Sequence, residues 1–216
     1  SLEVHFEEEV SDGHTRRTLI KLAGLLHDIA KPAMRTVDDE GRIRFIGHHS
    51  EGAVMVAPVL HGLRMSRHTT RAMEAMIDHH LRPGQMSQAG ELPTARAVYR
   101  FFRSAGDVAI DTLYLNLADY LSARGPLLER EEWAAYAGKV SHILDIGLSQ
   151  AETPSTPRLV NGRDLMAALD LSPGPLLGRL LDAIGEAQAA GEIASREQAL
   201  SLARDILGAE MEGSSA

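Results

Sequence analysis

The amino-acid sequence predicts a nearly all-α protein, built as a helical bundle with one short β-hairpin and a small C-terminal helical module. Apolar residues recur at helical spacing through most of the chain, which is typical of amphipathic helices. Alternation of apolar and polar residues is confined to residues 43–45, beside the turn at 38–41. The 216 residues are enough for one sizeable core with an appendage.

The first strong helical pattern ends in a pair of polar residues. Its apolar positions are Leu19, Leu22, Leu25, Leu26 and Ile29. Pro32 cannot continue a helix, so the helix is predicted to end at Lys31. His27 and Asp28 are therefore expected in its last turn.

The hairpin and a series of helices follow. Thr36 and Val37 are predicted to pair with residues 43–45, and His48 is predicted to start the next helix. Ser66 is a predicted N-cap and Pro58 a predicted kink. The helices are expected over residues 50–63, 66–80, 94–104, 107–123 and 130–147.

A polar, proline-bearing stretch predicts a domain boundary. Residues 149–158 are interpreted as a linker between a domain at 1–148 and a helical module at 159–216. In the module, a short helix is expected from Gly162 and a longer one from residues 172–175 to Gly191. Ser195 and Gln198 form a capping-box pattern for the last helix.

Composition limits the classes of function. The chain has no cysteine, so a metal site would use imidazole and carboxylate ligands, which favours Mn, Fe, Ni, Co or Mg. A net charge of -8 argues against a protein that binds nucleic acid mainly through its overall charge. No membrane span or signal peptide is found, so no membrane partner and a cytoplasmic location are expected. Because the chain opens on Ser1, a piece of a longer protein is expected.

Histidines and aspartates at helix-sized intervals predict a metal site for phosphate chemistry. A buried polar pair such as His27-Asp28 is costly unless a hydrogen bond or a metal ion satisfies it. Asp28 would bridge two ions, in the way two-metal phosphohydrolases require. The alternative is a hydrogen-bonded pair at a helix end. The predicted metal ligands are His27, Asp28, His48, His79, His80 and Asp119, with the choice between His79 and His80 left open.

Several basic side chains are candidates for phosphate contacts. Lys31 is one helical turn after Asp28 and is predicted to act with it in catalysis by meeting a phosphate oxygen, or else to compensate a helix C-terminus. A basic helical stripe beside aromatic residues would track phosphates, unless it is a solvated face. The candidate arginines for phosphate or RNA are Arg82, Arg96, Arg100, Arg103 and Arg124.

An ordered set of segments resembles a known family. These are LAGLLHDIAKPAMRTVDDEGRIRFIGHHSEGA, DHHLRPG, ARAVYRFFRSAG, LADYLSARGP and LVNGRDLMAALDLSPGPLLGRLLDAIGEAQAAGEI. They resemble HD-domain metal-dependent phosphohydrolases, and more closely the C-terminal HD region of bacterial tRNA nucleotidyltransferases, the CCA-adding and poly(A) polymerase-like proteins. The resemblance implies an HD-domain helical bundle, with one metal at His27, Asp28 and Asp119. It implies a second metal at His48 and one or both of His79 and His80.

The resemblance also implies an activity, that of a phosphatase or phosphodiesterase on nucleotides or RNA ends such as 2',3'-cyclic phosphates. The alternative is a non-catalytic body that holds tRNA, and a third is a helical fragment without activity. Nucleotidyl transfer needs a Gly-Ser motif together with an Asp-x-Asp pair on a mixed sheet, and this combination is not found in the chain. The family's further His ligand is expected to be missing, since only His5 and His14 precede His27, and weakened metal affinity at His27 is predicted.

Overall fold

The computed structural model describes residues 2–88, 90–152 and 158–213. Helices dominate this part of the chain, so the all-α prediction is confirmed. In chain order, the helices α1 to α11 are Leu2–Glu7, Arg16–Leu26, His48–Gly62, Arg67–His79, Arg82–Gln85, Ala95–Ala105, Ala109–Arg124, Arg130–Glu152, Gly162–Leu169, Pro175–Ala189 and Arg196–Gly213. Short 3-10 turns at Gly106–Val108 and Gly125–Leu127 flank α7.

Two antiparallel hairpins accompany the helices. The predicted one pairs β3 (Thr36–Val37) with β4 (Ile43–Arg44). A second, which the sequence analysis did not predict, pairs β1 (Glu9–Ser11) with β2 (His14–Thr15). Asp12 and Gly13 join these strands with φ of 58° and 75°. An Asp-Gly dipeptide signals such a turn, but the strands of three and two residues are too short to show alternation.

The chain forms two compact units. The first comprises residues 1–93 and 101–144, and the second comprises residues 94–100 and 145–216, apart from positions outside the described residues. Helix α8 continues to Glu152, four residues into the predicted linker. Residues 153–157 of that linker lie outside the described residues, so the boundary at 149–158 stays a prediction.

Each unit has its own apolar core. In the first unit, α2, α3, α4 and α7 contribute the buried side chains of Leu19, Ala23, Val56, Leu60, Met73, Met76, Ile77 and Leu115, with Val108 beside them. In the second unit, the core contains Val160, two residues before α9, together with buried side chains of α9, α10 and α11, namely Leu165, Leu180, Ile184, Ala199 and Ala203. No helix within the described residues is both long and apolar enough to cross a bilayer.

A glycine lets α3 approach its neighbours. A Cβ atom on Gly52 would lie 3.2 Å from Ile77 Cγ2 and 3.4 Å from the carbonyl oxygen of His27. Such spacing leaves little room for any side chain at this position. The close approach brings the first turn of α3 next to the ends of α2 and α4.

Helix α2 ends earlier than predicted, at Leu26 rather than at Lys31. The carbonyl of Gly24 would accept from the N–H of Asp28 if the helix continued, but it lies 2.9 Å from Nδ1 of His27 instead. Beyond this point the backbone forms tighter turns, with Ile29 N donating to the Leu26 carbonyl. His27 is therefore the C-cap residue, and Asp28 follows the helix rather than lying within it.

The predicted helix caps are confirmed at two places. Oγ of Ser66 accepts a hydrogen bond from the N–H of Thr69 at the start of α4. Before α11, Oγ of Ser195 accepts from the N–H of Gln198 at 3.3 Å. The side chain of Gln198 returns the contact, because its Oε1 accepts from the N–H of Ser195 at 3.1 Å.

We expect Ser195→Ala to lower the free energy of unfolding of the chain by about 1 kcal/mol, since the substitution removes the acceptor for an otherwise free helical N–H. Urea unfolding followed by circular dichroism measures the change. Ser195→Thr keeps the hydroxyl and is the matched control. Equal losses in the two variants would contradict a capping role.

Candidate metal centre

Three histidine rings converge from three helix ends, and all are held in the same way. His27 and His80 are the C-cap residues of α2 and α4, and His48 is the first residue of α3. Each Nδ1 lies near the carbonyl oxygen three residues earlier, which accepts its hydrogen bond. The distances are 2.9 Å for His27 to Gly24, 2.7 Å for His48 to Phe45 and 2.6 Å for His80 to Ile77.

The hydrogen bonds to these carbonyls decide which nitrogen of each histidine ring is free to bind a metal ion. Because a carbonyl oxygen can only accept, Nδ1 must carry the hydrogen in all three rings. Nε2 is then the atom that each ring offers to the centre. Metal-binding histidines are held by a backbone carbonyl or a carboxylate in this manner.

The carboxylate of Asp28 lies among these rings. Its Oδ1 is 3.3 Å from Nε2 of His48, and its Oδ2 is 3.3 Å from Nε2 of His27. Nζ of Lys31 donates to Oδ2 at 2.5 Å. A second carboxylate, that of Asp119 on α7, places Oδ1 3.4 Å from Nε2 of His27. The two oxygens of Asp28 thus face histidines from different helices.

His80 completes the cluster. Its ring centroid is 5.0 Å from that of His27 and 5.4 Å from that of His48. One ligand atom from each of His27, Asp28 and His80 lies within 4.8 Å of the others, as a shared metal ion requires.

Buried atoms of the cluster lack hydrogen-bond partners, namely Oδ1 of Asp28, Nε2 of His48 and Nε2 of His80. Polar atoms left unsatisfied in this way are costly and uncommon. The atoms are donors of electron pairs gathered at one place, so they fit a divalent cation.

The electrostatics of the cluster separate His27 from His80. Burial disfavours the charged form of His27, but hydrogen bonds with Asp119 and Asp28 outweigh it and raise its pKa to about 10. Burial lowers the pKa of His80 to about 4, assisted by the positive charge of His27. His80 is therefore neutral at pH 7, with an electron pair on Nε2.

Both carboxylates stay ionised. Burial alone would raise the pKa of Asp28, yet His27 and Lys31 hold it well below its usual range. The hydrogen bond from His27 lowers the pKa of Asp119 in the same way. The proton on His27 thus balances part of their charge at pH 7. A metal ion would replace that proton, because an imidazole binds a metal through an electron pair.

The structure places His79 outside this cluster. Nε2 of His79 donates to the carbonyl of Ser104 at 3.2 Å, and its Nδ1 is 3.4 Å from Oδ2 of Asp78. Burial lowers the pKa of His79, against the opposing charge of Asp78. Of the two adjacent histidines, the geometry therefore favours His80 as the ligand, and a metal role for His79 stays a prediction.

The histidines that precede α2 have other surroundings. Nε2 of His5 lies 3.2 Å from Oδ1 of Asp111, a buried carboxylate that also accepts from Arg16 at 2.7 Å. His14 lies in β2. The expectation of a missing upstream ligand, and of weakened affinity at His27, stays a prediction.

Four of the five candidate arginines have contacts within their own unit. In the first unit, Arg82 donates to Ser104, and Arg124 lies over the ring of Tyr120 while donating to Glu132 at 2.5 Å. In the second unit, Arg96 pairs with Glu192, and Nε of Arg100 is 3.5 Å from Oε2 of Glu186. Arg103 is an exposed residue of α6. Their roles toward phosphate or RNA stay predictions.

Sequence reasoning missed the main-chain part of this centre. The carbonyls of Gly24, Phe45 and Ile77 orient the rings, and no side-chain pattern reports on them. The spacing of three residues between each carbonyl and its histidine is a usable signal only where a helix end is already known.

Comparison with known proteins places the chain in a family. Residues 4–124, more than half of the chain, match the HD domain family. The chain belongs to the HD-domain family. The HD match covers all the residues of the histidine and aspartate cluster. Residues 155–203 match a second family, tRNA nucleotidyltransferase domain 2.

Relatives of this HD-domain chain carry names from tRNA processing. It is 36% identical over 181 residues to a CC-adding tRNA nucleotidyltransferase of Thermus thermophilus, covering 83% of the chain and 38% of that protein. It is 33% identical over 183 residues to an A-adding tRNA nucleotidyltransferase of Deinococcus radiodurans, covering 84% and 40%. The predicted resemblance is confirmed. The chain spans about two fifths of the length of these relatives.

We expect the metal-free protein to lose stability as the pH rises from 6.5 to about 10. Over this interval the folded state keeps the proton on His27, while the unfolded state loses it. The contribution of His27 is therefore fully present below pH 6.5 and is lost as the pH passes its folded pKa. The loss is on the order of 4 kcal/mol.

The measurement is the free energy of unfolding in EDTA at several pH values in this range. His27→Gln is the reference, because glutamine keeps a donor and does not titrate. A difference between the two chains that is constant with pH would contradict the prediction.

Proposed function

We propose that the HD region of this chain binds one or two divalent metal ions and hydrolyses phosphate esters of nucleotides or RNA ends. One observation carries the proposal: three imidazoles, each fixed through Nδ1 by a carbonyl three residues earlier, aim Nε2 at the space around Asp28. The proposed ligands are His27, Asp28, His48, His80 and Asp119. With nitrogen and oxygen donors only, the ions favoured are Mn, Fe, Ni, Co or Mg.

A bound ion at such a site supplies an activated water nucleophile and neutralises charge on the phosphate. The protein residues provide the geometry for this chemistry. Asp28 has one oxygen toward His27 and the other toward His48, so it would serve both sides of the centre. Asp119 would close the side of His27.

Lys31 is proposed to meet the substrate. Its ammonium lies against Oδ2 of Asp28 and 5.8 Å from the ring centroid of Phe45, while 37% of the side chain remains exposed. A phosphate oxygen approaching Asp28 from solvent would meet this positive charge. The ammonium would hold the substrate and offset the negative charge of the carboxylate.

The comparisons support a wider context for the activity. We infer that the chain is the HD region of a tRNA nucleotidyltransferase-like protein, because its relatives are CC-adding and A-adding enzymes. Transfer RNA or its ends are then the substrate class, and the cytoplasm is the proposed location. The chain's own residues support hydrolysis rather than nucleotidyl transfer.

We expect the metal-stripped chain to hydrolyse bis(p-nitrophenyl) phosphate and 2',3'-cyclic AMP only after Mn, Ni, Co or Mg is added. Asp28→Ala should abolish turnover, and His48→Ala should lower it at least about 100-fold, since each removes a proposed ligand.

His61→Ala is the matched control, because His61 lies at the opposite end of the same helix as His48. It should leave turnover unchanged. Turnover that persists in Asp28→Ala would refute the proposed centre.

A second proposal is that the chain also serves as a tRNA-binding body. The match of residues 155–203 to tRNA nucleotidyltransferase domain 2 favours it. In the second unit, the ion pairs of Arg96 and Arg100 are partly exposed. Exposed pairs contribute less than about 1 kcal/mol, so a phosphate can displace the carboxylate.

We expect tRNA binding to the chain to weaken steeply with salt, and Arg100→Ala to reduce the slope of log K against log[salt] by about one. Fluorescence anisotropy with labelled tRNA measures both. Arg42→Ala is the control, because Arg42 forms a similar exposed pair with Glu40 in the hairpin. Identical salt slopes in all three chains would remove Arg100 from the tRNA contact.

A further inference from the structure

The backbone of His80 is held by a side chain from another helix. His80 follows the last residue of α4, where carbonyl groups have no partner within the helix. Its carbonyl oxygen accepts from Nδ2 of Asn116, on α7, at 2.9 Å. Asn116 is only 4% exposed. His80 is thus anchored twice, through its ring by the carbonyl of Ile77 and through its main chain by Asn116.

A tyrosine sets the orientation of that amide. The hydroxyl of Tyr136, on α8, donates to Oδ1 of Asn116 at 2.7 Å. With Oδ1 engaged, the NH₂ group of Asn116 must face the His80 carbonyl, which only accepts. Both ends of the buried amide are therefore satisfied, and a rotation by 180° would break both hydrogen bonds.

The tyrosine is itself fixed on two sides. Its ring stacks on that of Tyr120, with centroids 3.6 Å apart and planes 11° from parallel. A Cβ atom on Gly84 would lie 3.1 Å from the Tyr136 hydroxyl, so the glycine leaves space for that group. Nζ of Lys139, one turn further along α8, donates to the carbonyl of Gly84 at 3.0 Å. These contacts hold the segment after α4 against α8.

Helix α7 connects this network to the rest of the cluster. Asn116 precedes Asp119 by three residues, so the two side chains project from neighbouring positions on the helix. Asp119 contacts Nε2 of His27, and Asn116 contacts the main chain of His80. One helix therefore sets the spacing between two of the proposed ligands.

We propose that Asn116 and Tyr136 are positioning residues, which act through the carbonyl of His80 to fix the direction of its Nε2 toward the metal centre. The effect on metal binding rests on the proposed metal centre. The hydrogen bonds from Tyr136 to Asn116 and from Asn116 to His80 do not depend on a metal. Removal of the Tyr136 hydroxyl leaves the buried Oδ1 of Asn116 without its donor, so the amide is held only by its bond to the His80 carbonyl. Loss of such an outer contact lowers metal affinity by about 10- to 100-fold.

The test compares the unmodified chain with Tyr136→Phe, Asn116→Leu and Tyr120→Phe. Tyr120→Phe is the matched control, since it removes a hydroxyl from the other ring of the same stack, one that donates to Glu132 instead. Two properties are measured on the full chain: the dissociation constant for Co²⁺ by titration calorimetry, and the ¹⁵N NMR signals of the His80 ring without metal.

In the unmodified chain and in Tyr120→Phe, the His80 ring should show a single Nδ1–H tautomer. In Tyr136→Phe and Asn116→Leu, the carbonyl of Ile77 still fixes the tautomer, but we expect the ring signals to shift and broaden as the main chain of His80 becomes less fixed. We also expect Co²⁺ binding to weaken by about tenfold or more. Tyr136→Phe keeps the ring stack, so it tests the proposal even if Asn116→Leu fails to fold.

Two results would overturn the proposal. One is a His80 ring and a Co²⁺ affinity in Tyr136→Phe that match the unmodified chain. The other is an equal change in Tyr136→Phe and Tyr120→Phe, which would indicate a general effect of the stack. If the unmodified chain binds no Co²⁺, the proposed metal centre fails, and the ring signals alone then decide whether the pair positions His80.

Discussion

The carboxylate of Asp28 is the charge around which the end of α2 and the start of α3 meet. A partly buried negative charge is expensive unless other groups compensate it, and here His27 and Lys31 lie within 3.3 Å of Oδ2. Oδ1 instead faces Nε2 of His48 at 3.3 Å without a hydrogen bond. The compensating groups come from the end of α2 and the segment after it, while the other oxygen faces the start of α3, so the carboxylate lies between two parts of the chain that are separated by a turn and a hairpin. Asp119 adds a second carboxylate from α7, which the proton on His27 offsets.

The helix ends themselves supply the means to build the centre. The last carbonyl groups of a helix have no partner within it. At the ends of α2 and α4, such carbonyls accept hydrogen bonds from Nδ1 of His27 and Nδ1 of His80. The same contact occurs before α3, where His48 bonds to Phe45. A hydrogen bond that satisfies the backbone also orients a ligand. The absence of a side chain at Gly52 then allows the three ends to approach each other.

Much of this arrangement could be predicted, because it depends on local patterns. Apolar spacing located the helices, and Ser66 and Ser195 identified helix starts through their hydroxyls. The order of His27, Asp28, His48 and Asp119 indicated the cluster. The choice between His79 and His80 could not be made, since adjacent residues point about 100° apart on a helix and the exact helix end decides which faces inward.

Other features depend on contacts that are distant in the sequence. Arg96 and Glu192 are 96 positions apart, and no spacing rule would pair them. Asn116 and His80 are 36 positions apart, and their hydrogen bond involves a main-chain oxygen. The early end of α2 likewise follows from the ring of His27, which competes for the carbonyl of Gly24. Helix propensity does not predict such a contact.

The anchoring of each ring by its own local backbone has a consequence for how a cation would be acquired. Because Nδ1 is engaged within three residues, most of the rotamer entropy of the ligands is already lost when the helices form. A cation bound at the proposed centre would then meet ligands that are already oriented, in contrast to small zinc modules whose chain is ordered only by the metal. Such a cation would be able to leave again without taking the orientation of its ligands with it. The identity of the occupant would follow the supply of metals in the cell, and the same polypeptide could exchange one for another during its lifetime.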